Sequence, residues 1–136
     1  MKFVFATIIS LFLFNAFALA GDLECYNNTA NQNVKKICVL RSGETNISGF
    51  LLMNADGTKS YLVVVRSNRK GYGSQEYGRI EWNYTVQRSD SELVSLETQS
   101  SKIQIVQSWE YSDGGSTLTG ETPGGIRLAA ILFSYK

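Results

Sequence analysis

Apolar and polar residues alternate with a period of two along most of this chain. The clearest case runs from Arg79 to Arg88, where every second residue from Ile80 to Val86 is apolar and the residues between them are polar. A period of two places successive side chains on opposite faces of a strand. The segment is therefore predicted to be a half-buried strand with one face in solvent.

Shorter segments of similar character follow the same pattern elsewhere. Strands are predicted for residues 34–41, 47–53, 59–66, 92–98, 102–111 and 126–135. A change of phase at Val106 and Gln107 indicates a β-bulge in one of them. The residues from Asn54 to Gly57 form a turn, since Asp-Gly supplies the positive φ of a tight hairpin. Residues 28–36 could instead hold a short helical turn.

Seven or eight antiparallel strands within about 110 residues, joined mostly by short turns, define the fold class. The fold is predicted to be all-β. Because consecutive hairpins favour a meander, we expect a small barrel, with a β-sandwich as the alternative. The segments at 59–66 and 126–135 are apolar on both faces. The first of these is therefore expected to be a central or covered strand.

The first twenty residues have the pattern of a cleaved secretory leader. Lys2 precedes an almost continuous apolar run from Phe3 to Leu19, and the run ends in the small-x-small sequence Ala18-Leu19-Ala20. A charged start, an apolar run and small residues at the cleavage site are typical of signal peptides. We predict a leader over 1–20, a single mature domain over 21–136 and no transmembrane segment after cleavage. The protein is expected to be secreted or periplasmic.

Charge and composition exclude several kinds of function. The chain has 13 basic and 12 acidic residues and no histidine. Loss of Lys2 with the leader makes the mature chain neutral, which gives no electrostatic basis for binding nucleic acid. Without histidine there is no Ser-His-Asp triad and no histidine-bearing zinc site. No metal or cofactor is expected.

Two cysteines remain in the mature chain, Cys25 and Cys38. An even number of cysteines in an oxidising compartment usually pairs. Their spacing is unlike the C-x-x-C of redox proteins. We therefore predict a structural disulfide that closes a loop of about 14 residues, worth about 3 kcal/mol in the chain-entropy model.

The residues from Ser67 to Gly78 are predicted to form a loop with a binding role. A loop of about twelve residues is unusual where most connections are short. Tyrosine, glycine and serine make adaptable contact surfaces, and arginine can anchor a carboxylate or stack on an aromatic ring. The alternative is a hairpin tip without function. The candidate binding residues are Arg66, Arg69, Lys70, Tyr72, Tyr77 and Arg79.

Other residues are weighed as candidate sites and assigned structural roles. The segment 112–125 is predicted to be mainly turns, with a short strand possible over 116–119. The aromatic residues in phase with the apolar positions are expected in the core and not on a sugar-binding platform. These are Trp82, Tyr84, Trp109 and Tyr111. Three strand carboxylates, Glu81, Glu97 and Glu110, are expected on solvated faces, with Glu81 opposite Trp82.

The sequence therefore favours an exported, non-enzymatic binding module. It would present the 67–78 loop to a protein, a peptide or a glycan, in the manner of a periplasmic inhibitor. The alternative is a carrier for a small hydrophobic ligand inside the barrel. A hydrolase that uses paired carboxylates ranks below both of these.

Overall fold

The computed structural model describes residues 23–43, 46–89 and 96–135. The predicted leader over 1–20 lies outside these ranges. Within them the chain forms strands joined by turns and short loops, and no helix is long and apolar enough to span a membrane. The strands are β1 (Glu24–Asn27), β2 (Val34–Arg41), β3 (Ile47–Asn54), β4 (Lys59–Gly73), β5 (Tyr77–Ser89), β6 (Leu96–Glu110), β7 (Asp113–Glu121) and β8 (Arg127–Tyr135).

The strands form one antiparallel sheet in sequence order. Each strand pairs with the next one along the chain, from β1 to β8. The first and last strands also approach each other, so that the sheet curls into a nearly closed barrel. The meander barrel expected from the hairpin pattern is confirmed.

The interior of the barrel is filled by side chains from seven of these strands. Phe50 and Tyr84 meet edge to face, with their ring centroids 5.7 Å apart. Burial raises the pKa of the Tyr84 hydroxyl, which therefore stays neutral. The buried cluster comprises Val34, Ile37, Val39, Phe50, Leu52, Leu62, Tyr84, Val86, Ile103, Ile105, Leu118, Leu128 and Ala130.

The predicted disulfide is present between the first two strands. Cys25 and Cys38 are direct partners in the register of β1 and β2, with their Cα atoms 4.0 Å apart. Cys38 is fully buried. The bond ties the short strand β1 to the rest of the sheet, which matters because β1 contributes only four residues.

Polar side chains of the loop after β1 join the two ends of the sheet. Asn28 Oδ1 accepts a hydrogen bond from the amide of Ala129 on β8, at 3.0 Å. The amide of Thr29 donates to the carbonyl of Ala129, and Asn31 Nδ2 donates to the carbonyl of Arg127. The loop therefore satisfies edge groups of β8 that a paired strand would otherwise satisfy.

Replacing Asn28 by alanine is expected to lower the free energy of unfolding by about 1–2 kcal/mol. Asn28 also donates to the carbonyl of Val34 at 3.0 Å, so the substitution removes one hydrogen bond to β2 and one to β8. Asn27→Ala is the matched control, because the Asn27 side chain is exposed. Urea unfolding of both variants measures the difference. Equal stability of the two variants would contradict the role of Asn28 in closure.

The prediction of a loop over residues 67–78 is wrong. Residues 67–73 continue β4 and pair with residues 78–84 of β5. Only residues 74–76 form the connection. Cross-strand hydrogen bonding holds these mainly polar residues extended, although they lack the apolar alternation that marks a strand in the sequence.

Four further expectations also differ from the structure. Residues 113–121 form the full strand β7, so the predicted loop at 112–125 shrinks to its ends. The register of β6 with its neighbours is continuous at Val106 and Gln107, so no bulge lies there. Residues 28–33 form no helical turn. The segments 92–98 and 102–111 are not separate strands, because β6 runs unbroken from Leu96; residues 90–95 lie outside the described ranges.

Candidate functional site at the extension

One end of the sheet projects beyond the first three strands. β3 pairs with β4 only as far as Val63. Beyond Val63, β5 is the one partner of β4 among the described strands, and this pairing continues to Gly73. We call this part the extension; it comprises residues 66–73, 77–83, 104–110, 113–117 and 131–135. It holds all six residues that the sequence singled out for binding.

The extension has two faces, because alternate residues of a strand point to opposite sides. Its inner face continues the core side of the barrel and contains Trp82, which packs against the core. Its outer face contains the alternate residues. By register, Arg66 lies opposite Thr85, Lys70 opposite Glu81 and Tyr72 opposite Arg79, and all of these belong to the outer face.

The six predicted binding residues are therefore not all together. Arg66, Lys70, Tyr72, Tyr77 and Arg79 lie on the outer face, whereas Arg69 lies on the inner face. The guanidinium of Arg69 stands 5.9 Å from the centre of the Trp82 ring, within cation–π range. Arg69 is therefore separated from the other candidates by the sheet itself.

Three tyrosines that are each more than half exposed lie at or next to the far end of the extension. Tyr72 is 67% exposed, Tyr77 is 59% exposed and Tyr111 is 72% exposed. Tyr111 was expected in the core by its phase on the predicted strand, and that expectation is wrong. It occupies the turn between β6 and β7 with a φ of 56°, so the strand alternation no longer applies to it.

Hydrogen bonds fix the turn that separates Tyr72 from Tyr77. The amide of Ser74 donates to the carbonyl of Tyr77 at 2.8 Å, and the Trp109 indole Nε1 donates to the carbonyl of Ser74 at 2.8 Å. The amide of Tyr111 donates to the carbonyl of Glu76. The two turns are thus joined, and the three tyrosines are held on one support.

The outer face behind the tyrosines carries charges of both signs and a row of amides. Arg79 Nε donates to Glu81 Oε2 at 2.9 Å, forming an ion pair. Gln104 Nε2 donates to Asn83 Oδ1 at 2.9 Å, and Asn83 Nδ2 donates to Asn68 Oδ1 at 3.2 Å. These bonds run across β4, β5 and β6 and keep the outer face ordered.

Glu81 and Glu110, the two described acids among the strand carboxylates considered in the sequence, do not form a pair on this face. Glu81 lies on the side opposite Trp82, as expected, and is partly buried against Arg79. Glu110 pairs in register with Tyr77, four residues from Glu81, which corresponds to about 13 Å along a strand. The structure describes no side chain for Glu97. Among the described residues no group of three or more acids and cysteines is placed to hold a metal ion.

Two surface cavities lie away from the tyrosines. One of about 360 Å³ is lined by Asp56, Arg88 and Thr122 among others. Hydrogen bonds from the side chain and amide of Thr58 hold the pKa of Asp56 below its usual range, so this acid serves the β3–β4 turn. The other, of about 380 Å³, lies at the seam between β1 and β8 and is lined by Asn27 and Ile131 among others.

The aromatic residues expected in the core divide into three cases. Tyr84 is buried, as expected, and Trp82 packs on the edge of the core. Trp109 is partly buried at the far end of the extension, on the inner face and beyond the core. Sequence phase placed Trp109 on the correct face but could not show that the barrel ends before it.

The chain matches no protein-family model, no curated protein and no solved structure.

Proposed function

We propose that this protein is an exported binding module that holds a macromolecular partner with the end of the extension. The observation that carries the proposal is the set of three tyrosines, Tyr72, Tyr77 and Tyr111, each more than half exposed and lying in or next to two joined turns. Exposed aromatic residues grouped at one end of a domain are typical of an interaction surface.

The chemistry of tyrosine supports binding at this position. A tyrosine ring supplies a large contact area and a hydroxyl group while losing little side-chain entropy on binding. The turns that carry these rings are already held by hydrogen bonds, including the bond from Trp109 to Ser74. A fixed support lowers the entropic cost of association, so more of the contact energy appears as affinity.

The charged groups beside the tyrosines would orient the partner. Lys70 and Arg66 are exposed on the outer face, and Arg79 is held by Glu81. Glu76 and Glu110 border the tyrosines with the opposite charge. A surface with charges of both signs orients a bound partner but attracts a polyanion only weakly. This favours a protein, peptide or glycan over a nucleic acid as the partner.

Export is supported by the leader pattern at residues 1–20 and by the disulfide. A bond between Cys25 and Cys38 persists in an oxidising compartment such as the periplasm or the extracellular space. An inhibitor-like module of the periplasm has this size and chemistry. A carrier of a hydrophobic ligand gains no support from the barrel interior, where side chains such as Phe50, Leu62 and Leu118 pack against one another.

Replacing both Tyr72 and Tyr77 by alanine is expected to reduce partner capture at least tenfold, the loss expected when interface hot spots are truncated. Stability should change by less than about 0.5 kcal/mol per substitution, since both side chains are exposed. The measurement is affinity capture from the native envelope with residues 21–136 as bait, compared quantitatively between variants.

Tyr61→Ala is the matched control for this experiment. Tyr61 is 37% exposed and lies on β4 at the barrel, away from the extension. It should leave capture of the same partner unchanged. If the double variant and the control retain a partner equally well, the end of the extension is not the binding surface.

A further inference from the structure

The inner face of the extension carries one register row whose exposed surface the proposed function does not use; Trp109 enters that function only through its hydrogen bond to Ser74. Following the strand pairing from β4 to β8, five residues lie side by side. We call them the inner row: Gly73, Gly78, Trp109, Gly114 and Tyr135. Three of the five are glycines, so two aromatic side chains share a row that is otherwise bare backbone.

The two rings of the inner row lie against the backbone of these glycines. A Cβ atom added to Gly78 would stand 2.3 Å from Trp109 Cζ2, and one added to Gly73 would stand 3.0 Å from the same atom. A Cβ atom on Gly114 would stand 2.6 Å from the Tyr135 hydroxyl oxygen. Only glycine leaves room for rings that rest on the sheet in this way.

Both rings are also held in place. The Trp109 indole is fixed by its hydrogen bond to the carbonyl of Ser74. The Tyr135 ring stacks on Phe133, with centroids 6.0 Å apart and planes inclined by 12°. Tyr135 remains 45% exposed and Trp109 is partly exposed. The inner row thus presents two fixed aromatic surfaces to solvent.

The spacing of the two rings follows from the sheet. Trp109 lies on β6 and leans toward Gly78 on β5, while Tyr135 lies on β8 and leans toward Gly114 on β7. Each ring is displaced in the same direction, onto the neighbouring strand. The rings therefore stand over β5 and β7, which lie two strand spacings or about 9–10 Å apart. This distance is comparable to the length of one disaccharide unit in an extended sugar chain.

Unused polar groups lie in the next register row. Gln107 pairs with Ser116, and Ser116 pairs with Phe133. Ser116 is only 4% exposed, and neither its hydroxyl nor the Gln107 amide makes a side-chain hydrogen bond to any described residue. Buried polar groups are usually satisfied, so an unpartnered hydroxyl beside two exposed rings points to a ligand with polar groups.

We propose that the inner row binds a neutral, linear oligosaccharide laid across the strands. Alternate pyranose rings would stack their apolar faces on Trp109 and Tyr135. Sugar hydroxyl groups would bond to the side chains of Gln107 and Ser116. Aromatic surfaces together with amide and hydroxyl groups match the two sides of a sugar ring, one apolar and one hydrogen-bonding.

The charge of the surface selects the class of sugar. The inner row and the row beside it, Gly71, Ile80, Gln107, Ser116 and Phe133, contain no charged residue. A neutral glycan loses no ionic hydration in these two rows, whereas an anionic one would have to reach Arg69 in the row beyond, beside Trp82. The inner row lies on the face opposite Tyr72 and Tyr77, so substitutions at those two tyrosines separate this site from the proposed function.

The test is titration of residues 21–136 with two β-1,4-linked probes, cellohexaose and N-acetylchitohexaose, by isothermal calorimetry and tryptophan fluorescence. At least one probe should bind at millimolar concentration or below and change the tryptophan emission. Trp109→Ala and Tyr135→Ala should each weaken binding roughly tenfold. Tyr72→Ala, on the outer face, should leave binding unchanged.

If Trp109 and Tyr135 had only a structural role, there would be no sugar binding for a substitution at Gln107 to weaken. Gln107→Ala separates the two cases, because the amide has no partner within the described part of the chain. It should weaken sugar binding while leaving the melting temperature unchanged, and it remains informative if Trp109→Ala fails to fold. Absence of binding by both hexasaccharides, or equal binding by the Gln107 and Tyr135 variants and wild type, would overturn the proposal. Binding of an apolar peptide instead, with the same dependence on Trp109, would also overturn it.

Discussion

Replacing Phe50 by alanine is expected to lower the free energy of unfolding by about 3–5 kcal/mol. Phe50 is 0% exposed and meets Tyr84 edge to face in the middle of the core. The substitution removes the transfer free energy of the ring and leaves a cavity that the surrounding strands cannot fill, because cross-strand hydrogen bonds fix their spacing. Urea unfolding followed by tryptophan fluorescence measures the change.

The matched control is the same substitution at Phe133. Phe133 is 44% exposed and lies beyond the core, so Phe133→Ala should cost about 1 kcal/mol or less. Phe50→Leu should recover part of the loss, since it restores most of the missing volume. A cost below about 1.5 kcal/mol for Phe50→Ala would mean that the barrel interior is not packed as the structure shows.

The double variant Cys25→Ala and Cys38→Ala is expected to lose about 3 kcal/mol of stability. The bond joins residues 13 apart in the chain and so restricts the unfolded ensemble. It also anchors the strand that precedes the Asn28 closure loop, and among the described strands β1 pairs along its length with β2 alone. Alanine is preferred to serine because Cys38 is buried, and a hydroxyl there would add a separate polar penalty.

Reductant provides the control for this second prediction. Wild-type protein unfolded in urea with a reducing agent should lose about the same stability as the double variant. The double variant should be insensitive to the reductant, since the described chain contains no other cysteine. Equal stability of oxidised and fully reduced wild type would contradict a stabilising role for the bond.

The division between barrel and extension separates stability from the candidate sites. The buried cluster lies where β2 to β8 surround a common interior, whereas the extension has exposed side chains on both faces. Substitutions of Tyr72 and Tyr77 should therefore affect binding with little effect on folding. Loss of Phe50 should affect folding first. This separation makes the binding experiments interpretable.

Part of the extension could be predicted from the sequence and part could not. The alternation from Ile80 to Val86 predicted β5 and placed Glu81 opposite Trp82, as observed. The partner residues 67–73 were taken for a loop. They carry two glycines and mainly polar side chains, so no apolar period marks them. Their strand conformation comes from hydrogen bonds to β5, which side-chain patterning does not encode.

The candidate binding residues show the same limit. The composition of the predicted loop singled out Tyr72 and Tyr77 and grouped Arg69 with them. Since a loop has no alternating faces, nothing in the sequence separated Arg69 from its neighbours. Once these residues belong to a strand, alternation places Arg69 on the inner face beside Trp82. Tyr111 followed the phase of β6 in the sequence, yet a turn with positive φ brings it to the exposed end.

By itself, the sequence determined the all-β meander, the disulfide between Cys25 and Cys38 and the core-facing side of β5. Each of these depends on local patterning or on the pairing of only two cysteines. Only the tertiary structure decided that β4 continues to Gly73, that Asn28 joins β8, and that Trp109 and Tyr135 share one row with three glycines. These features depend on strand register, which brings distant residues together through backbone hydrogen bonds that every residue type can make.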